Sequence, residues 1–190
     1  MDIFTAFMDR SKLCASMAAS LGPDINKAVQ IIIDAFNNRH KLLLFGNGGS
    51  AADAQHIAAE FVNRFIIERR PLPAIALTTD SSVITSIAND YSFDDIFSKQ
   101  IRALGLSSDV AIGISTSGRS KNVLNGLIEA ERCGMVTILL TGGEEDYLDM
   151  PYCDVEIKVR TTKTPLIQEV HIMIGHIICE MVDEKLFKTT

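Results

Sequence analysis

Lys41-Leu42-Leu43-Leu44-Phe45-Gly46-Asn47-Gly48-Gly49-Ser50 is an apolar run that ends in a glycine-rich turn, and a helical pattern over 51–65 follows it. A run with no polar alternation suits a strand buried on both faces. The arrangement returns further on, where Val110-Ala111-Ile112-Gly113-Ile114 leads into Ser115-Thr116-Ser117-Gly118-Arg119-Ser120 and then a helical pattern over 119–133. Shorter apolar runs over 74–77, 135–140 and 155–159 read as three more strands, and helical patterns cover 80–89, 94–104 and 165–187. Alternating strand and helix predicts an α/β fold, a three-layer, doubly wound sandwich around a central five-stranded parallel sheet. Ligands of such sheets sit beyond the carboxyl ends of the strands, which is where both turns fall.

Ahead of the first strand, Ile3, Phe4, Phe7, Met8, Leu13 and Met17 recur near helical spacing. Gly22-Pro23-Asp24 interrupts that pattern, so two N-terminal helices are expected, the second ending near residue 36. Apolar helices outside the alternating part of the chain must cover something, either their own domain or a second subunit. Residues 1–38 thus form an N-terminal helical interface segment and 39–190 the α/β part, in one structural domain. A chain of 190 residues buries a sufficient core without disulfides or metal staples.

A net charge of −6 argues against a binder of phosphate backbones, which would usually carry a basic stripe, so any phosphate must be held locally by backbone N–H groups and hydroxyls. Cys14, Cys133, Cys153 and Cys179 are dispersed, with no CxxC pair, and read as free thiols. The first residues carry no basic stretch followed by an apolar core, which predicts a cytoplasmic protein. Runs such as 29–33 fall short of the length a membrane span needs, and no membrane role is expected.

The serine-rich turn has the chemistry of a phosphate site. It enters a helix N-terminus, where free N–H groups and the macrodipole favour an anion. One hydroxyl would suffice for a helix cap; Ser115, Thr116, Ser117 and Ser120 supply four. In the first turn, Gly48 and Gly49 permit close backbone approach, and Asn47 and Ser50 offer hydrogen bonds to sugar hydroxyls. The absent third glycine of the dinucleotide fingerprint argues against a nucleotide-binding site.

Two helices add reactive groups. Spacing of four brings His56 and Glu60 within about 40° of each other around one helix, and spacing of eight leaves Gln168 and His176 about 80° apart on another. A protein that only recognises a phosphosugar needs no such set. Glu60 and His176 are the candidate proton-transfer pair, since burial and mutual contact tune a carboxylate and an imidazole towards neutral pH. His40 and His171 read as structural; His171 points about 140° away from His176.

The stretches FGNGGSAADAQHIAAEF, IANDYSFDDIF, ISTSGRS and IQEVHIMIGH together resemble the phosphoheptose isomerases of the sugar isomerase (SIS) superfamily, from about residue 40 to the end. The resemblance implies an aldose–ketose isomerisation of sedoheptulose 7-phosphate to D-glycero-D-manno-heptose 7-phosphate, the opening step of heptose synthesis for lipopolysaccharide or capsule. It implies a homotetramer with active sites shared between subunits, and zinc on His56, Glu60, Gln168 and His176. It further implies substrate contacts from Asn47, Gly48, Gly49, Ser50, Glu60, Arg64, Asn89, Asp90, Ser115, Thr116, Ser117, Ser120 and Gln168. Arg64 at four residues from Glu60 also suits a routine helix-surface pair, and Asp90 a helix cap. Thr164-Pro165-Leu166 departs from some members of that family and puts any polar contact from that turn in doubt. Related adaptors that bind the bacterial replication initiator are expected to lack the acid and the final histidine, whereas Glu60 and His176 are both present here.

Overall fold

The computed structural model describes residues 2–144 and 153–188. The parallel sheet contains β1 (Leu42–Gly46), β2 (Ala74–Ala76), β3 (Val110–Ser115), β4 (Val136–Gly142) and β5 (Val155–Val159). Its spatial order is β2-β1-β3-β4-β5. The order reverses between β1 and β3, whose carboxyl ends pair Gly46 with Ile114. A crevice therefore opens at the point where the two turns leave the sheet.

Alternate side chains of β1 serve opposite layers. Leu42 and Leu44 join Ile112, Ile114, Ile138 and Leu140 beneath α1 (Ile3–Asn37), α2 (Gly49–Val62) and α6 (Thr164–Phe187). Leu43 and Phe45 join Ala111 and Leu139 beneath α4 (Ser98–Leu104) and α5 (Lys121–Arg132). All five β1 residues are buried, as the unbroken apolar run requires.

The N-terminal region differs from the expected pair of helices. α1 is one continuous helix of 35 residues with Pro23 inside it. Proline removes a helix hydrogen bond and crowds the preceding turn, but Met17 and Leu21 before it and Ala28 and Ile32 after it lie on one buried face. Burying that face on α6 and β5 outweighs the local penalty.

α3 (Ser81–Asp90) runs to Asp90 and contributes no buried residue. Asp90 is therefore a helix-end residue, and Ser92, not Asp90, accepts a hydrogen bond from Asp94 N at the start of the next short turn. α6 is long and apolar enough to cross a membrane by length and composition, a property that the short-run reading of the sequence overlooks. Ile167, Val170, Ile174, Ile178 and Val182 nevertheless lie in the protein core. All four cysteines are free; Cys179 is buried and the others are half-buried. Burial pushes the Cys153 thiol up to about 11 and that of Cys179 further, so neither is a ready nucleophile.

Candidate active site

α2 starts within the β1 turn, where Gly48 takes φ +55° and Gly49 lies against the Gln168 amide. A Cβ on Gly49 would stand 2.4 Å from Gln168 Nε2, so a larger residue here would displace the Gln168 amide. Ser50 is buried behind it. Asn47 does not point a free amide into the crevice. Its Nδ2 donates to Asn122 Oδ1 at 2.8 Å, and Asn122 Nδ2 donates back to Asn47 Oδ1 at 2.9 Å. Asn122, one residue into α5, thereby joins the two turns, and nothing in the turn sequences announces it.

The β3 turn keeps its helix N-terminus uncapped. Ser120 occupies the N-cap position of α5 without a side-chain capping bond, and its hydroxyl accepts from Ser115 Oγ at 3.0 Å. Ser117 Oγ instead accepts from Arg119 N at 3.2 Å, and Gly118 takes φ +64°. A cavity of about 230 Å³ lies beside this turn, with Thr116, Ser117 and Arg119 on one side and Thr161, Thr162 and Thr164 on the other. Thr161 and Thr162 escaped the sequence reading, and Thr164 entered it only as part of the turn whose polar contact was in doubt, although a Thr-Thr-Lys-Thr cluster between strand and helix is visible in the chain. Hydroxyls, helix N–H groups and an arginine around one small cavity suit an oxyanion.

The reactive groups meet where α2 packs on α6. His56 Nε2 lies 2.9 Å from His176 Nε2 and 3.3 Å from Glu60 Oε1. The three donor atoms lie within 4.8 Å of one another. Close approach of the helices is permitted at Gly175, where a Cβ would come within 2.5 Å of Ile57 Cδ1. Phe65 stacks on the His176 ring at 5.3 Å between centroids and fixes its orientation. One turn ahead of His56, Asp53 is half-buried with Oδ2 unpartnered among the described residues. Burial pushes its carboxyl above the ordinary range, and nearby His56 opposes that rise.

The remaining candidates are dispersed. Gln168 stays at the Gly49 turn, and no hydrogen bond joins it to His56, Glu60 or His176 among the described residues. Its eight residues of separation from His176 amount to about 12 Å of helix rise. Arg64 lies beyond the end of α2, half exposed, and pairs with Glu68 at 3.5 Å in place of the helix-surface pair with Glu60 that its spacing suggested. Asn89 donates to Asp90 Oδ1 at 2.8 Å on the exposed end of α3. The two structural histidines are as expected: His171 is buried with Nε2 3.0 Å from Thr141 O, and His40 lies 3.7 Å from Asp109 Oδ1.

Sequence reasoning also missed Arg69. Its Nε donates to Asp183 Oδ1 at 2.8 Å, Nη2 to Glu60 O at 2.8 Å and Nη1 to Phe61 O at 2.7 Å. It closes the C-terminal end of the helix that carries Glu60.

A doubly wound sheet with an oxyanion cradle beyond the carboxyl ends of β3 and β4 and a histidine–carboxylate cluster between α2 and α6 defines a class of phosphosugar-handling α/β proteins. The family model described as "SIS domain" matches residues 7–142. A phosphoheptose isomerase from Geotalea daltonii is 48% identical over 186 residues, covering 98% of this chain and 96% of that protein. The solved phosphoheptose isomerase of Francisella tularensis superposes with a TM-score of 0.90 at 38% identity, covering 96% of each chain. That of Neisseria gonorrhoeae gives 0.86 at 39% identity, over 96% of this chain and 97% of the other. The chain belongs to the SIS-domain family and, within it, to the phosphoheptose isomerases.

Proposed function

We propose that the chain interconverts sedoheptulose 7-phosphate and D-glycero-D-manno-heptose 7-phosphate through an enediolate. The observation that carries the reading is the convergence of His56, Glu60 and His176, which a purely ligand-sensing relative or a replication adaptor has no use for. The substrate phosphate occupies the serine-rich turn, with Thr116 and Ser117 lining the cavity and Ser115 and Ser120, hydrogen-bonded to each other, behind them at the α5 N-terminus. Backbone groups of Gly48 and Gly49, with Ser50 and Gln168, take the sugar hydroxyls. Contacts from Arg64, Asn89 and Asp90 come from the exposed surface and so fit a site completed by a neighbouring subunit.

Isomerisation moves one proton between adjacent carbons and another between their oxygens. Glu60 and His176 divide these transfers when no metal holds them, since their functional atoms lie within 4.8 Å of each other and one is an acceptor when ionised while the other passes a proton between its forms. Such a pair contributes roughly 10²- to 10⁴-fold to the rate.

The donor set fits zinc. Ligand atoms at about 2.05 Å on a tetrahedral ion stand about 3.3 Å apart, close to the His56–His176 and His56–Glu60 separations of 2.9 and 3.3 Å. His56, Glu60 and His176 would hold the ion, and Gln168, the fourth member of the implied set, has its amide beside the Gly49 turn. Bound there, zinc supplies a Lewis acid for the substrate carbonyl and the oxyanion that forms from it.

A homotetramer is supported by surfaces one subunit leaves open. Ile3, Phe4 and Phe7 are exposed at the start of α1, and an apolar groove of about 410 Å³ runs between α1 and α6 past Met17, Leu21, Ile174 and Ile177. The free thiols and the family's metabolic role support a cytoplasmic location, with no nucleic-acid or membrane partner.

The test is NMR of the purified protein with sedoheptulose 7-phosphate in deuterated water. Deuterium entering an aldoheptose 7-phosphate, lost in Glu60→Gln and after chelation, is the expected result. Conversion that persists after complete metal removal would assign Glu60 and His176 to metal-free proton transfer. No conversion by zinc-loaded protein would end the isomerase reading in favour of the adaptor or another phosphosugar.

A further inference from the structure

α2 and α6 each carry half of the histidine–carboxylate cluster, so the reaction depends on how they are held against each other. Small residues, Gly175 and Gly49, set their closest approach but cannot fix the rotation of either helix. At the far end of the contact stands a charged pair that the chemistry does not use. The Arg69 side chain is 1% exposed and that of Asp183 is 3% exposed. Asp183 follows His176 by seven residues and so lies on the same face of α6, two turns on. Arg69 reaches it while holding the carbonyl of Glu60 itself and that of Phe61, with a longer contact to Asn63 O at 3.3 Å.

We propose that Arg69 and Asp183 form a positioning device that fixes Glu60 relative to His176 by clasping the last turn of α2 and one face of α6 together. A planar guanidinium suits this role because its fork addresses a carboxylate and two carbonyls in fixed directions. Stability alone is a poor reason for the pair: an apolar pair of similar volume in such a place is commonly neutral or stabilising. Asp183 Oδ2 has no partner among the described residues, so the carboxylate is committed to Arg69. What the ion pair supplies is direction, and a displacement of about 1 Å at reacting groups costs on the order of 100-fold in rate.

This inference rests on the isomerase reading, and the experiment separates the two. The double variant Arg69→Met/Asp183→Leu keeps the volume apolar and releases the α2 carbonyls; Arg69→Lys keeps the charge but loses the fork. Melting temperature, kcat, KM for sedoheptulose 7-phosphate and the imidazole nitrogen shifts of His56 and His176 are measured on each. The expected result is a folded double variant whose KM stays within about threefold, because the phosphate cradle is remote, while kcat falls at least about tenfold and the imidazole shifts move. Arg69→Lys should fall between. A folded variant with kcat and imidazole shifts unchanged overturns the inference and leaves a structural ion pair. If the double variant does not fold, Arg69→Lys decides on the same readouts. Should the parent protein fail to isomerise, the isomerase reading fails instead, and should Glu60→Gln keep the full rate, the role of Glu60 in it fails; in either case the imidazole shifts alone decide whether the clasp positions the cluster.

Discussion

Asn47 and Asn122 exchange two amide hydrogen bonds, at 2.8 and 2.9 Å, across the crevice between the glycine turn and the serine turn. Asn122 Oδ1 also accepts from Val123 N at 2.9 Å, so the pair is anchored in the first turn of α5. The cradle is thus one unit. Truncation by Asn122→Ala leaves the Asn47 amide without partners, at a cost of about 1–3 kcal/mol, and lets the two turns separate. The expected outcome is a KM raised about tenfold with a smaller change in kcat, read from steady-state kinetics. An unchanged KM would remove the clamp from the account of the cradle.

Enlarging Gly175 should separate reaction from stability. Alanine at a helix interior gains about 1 kcal/mol over glycine, which offsets part of the overlap with the flexible end of Ile57. Gly175→Ala should therefore melt near the parent temperature, yet lose activity as the next residue, His176, moves away from His56. Gly175→Val adds branching against the same neighbour and should cost a further 1–3 kcal/mol or so. Equal activity in the alanine variant would show that the helix spacing has slack.

His171 makes stability depend on pH. Burial lowers its pKa from 6.5 to about 4, and the bond to Thr141 O opposes that only in part. The unfolded chain takes up a proton near pH 6.5 while the folded chain does not until about pH 4, so this contribution is complete above 6.5 and drains away as pH falls between those values. The amplitude is about 3 kcal/mol. Denaturant titrations at pH 7 and pH 5 should show the fall, and His171→Gln should flatten it; an identical slope in that variant would place the titration elsewhere.

Metal binding has a readout independent of turnover. Zinc at about a hundredfold its dissociation constant should add about 2.7 kcal/mol to the folded state, raising the melting temperature of chelated protein by several degrees. His56→Ala and His176→Ala should abolish the shift. Gln168→Ala should retain most of it, because Gln168 lies at the Gly49 turn.

The strands and both turns were legible because an apolar run buried on two faces admits few other conformations, and because glycines and serines stand where the chain must bend. His56, Glu60 and His176 were legible through helical spacing. Continuity of α1 through Pro23 was not, since it depends on a buried face that only the folded sheet supplies. Arg69 and Asn122 were hidden for a related reason: an arginine in a loop and an asparagine early in a helix look like surface residues until their partners 114 and 75 positions away arrive. Arg64 shows the reverse. Its spacing from Glu60 assumed a helix that stops at Val62.

α1 rises about 52 Å over its 35 residues, more than the breadth of about 40 Å expected of a compact body this size. Its first buried residue is Met17, while Ile3, Phe4 and Phe7 face outward. In the proposed tetramer the opening turns would serve as a handle, gripped from outside the subunit that owns it. On that proposal folding and assembly fall to different halves of one helix, and a chain shortened to begin near Leu13 should still fold while sedimenting as a smaller species than the full chain.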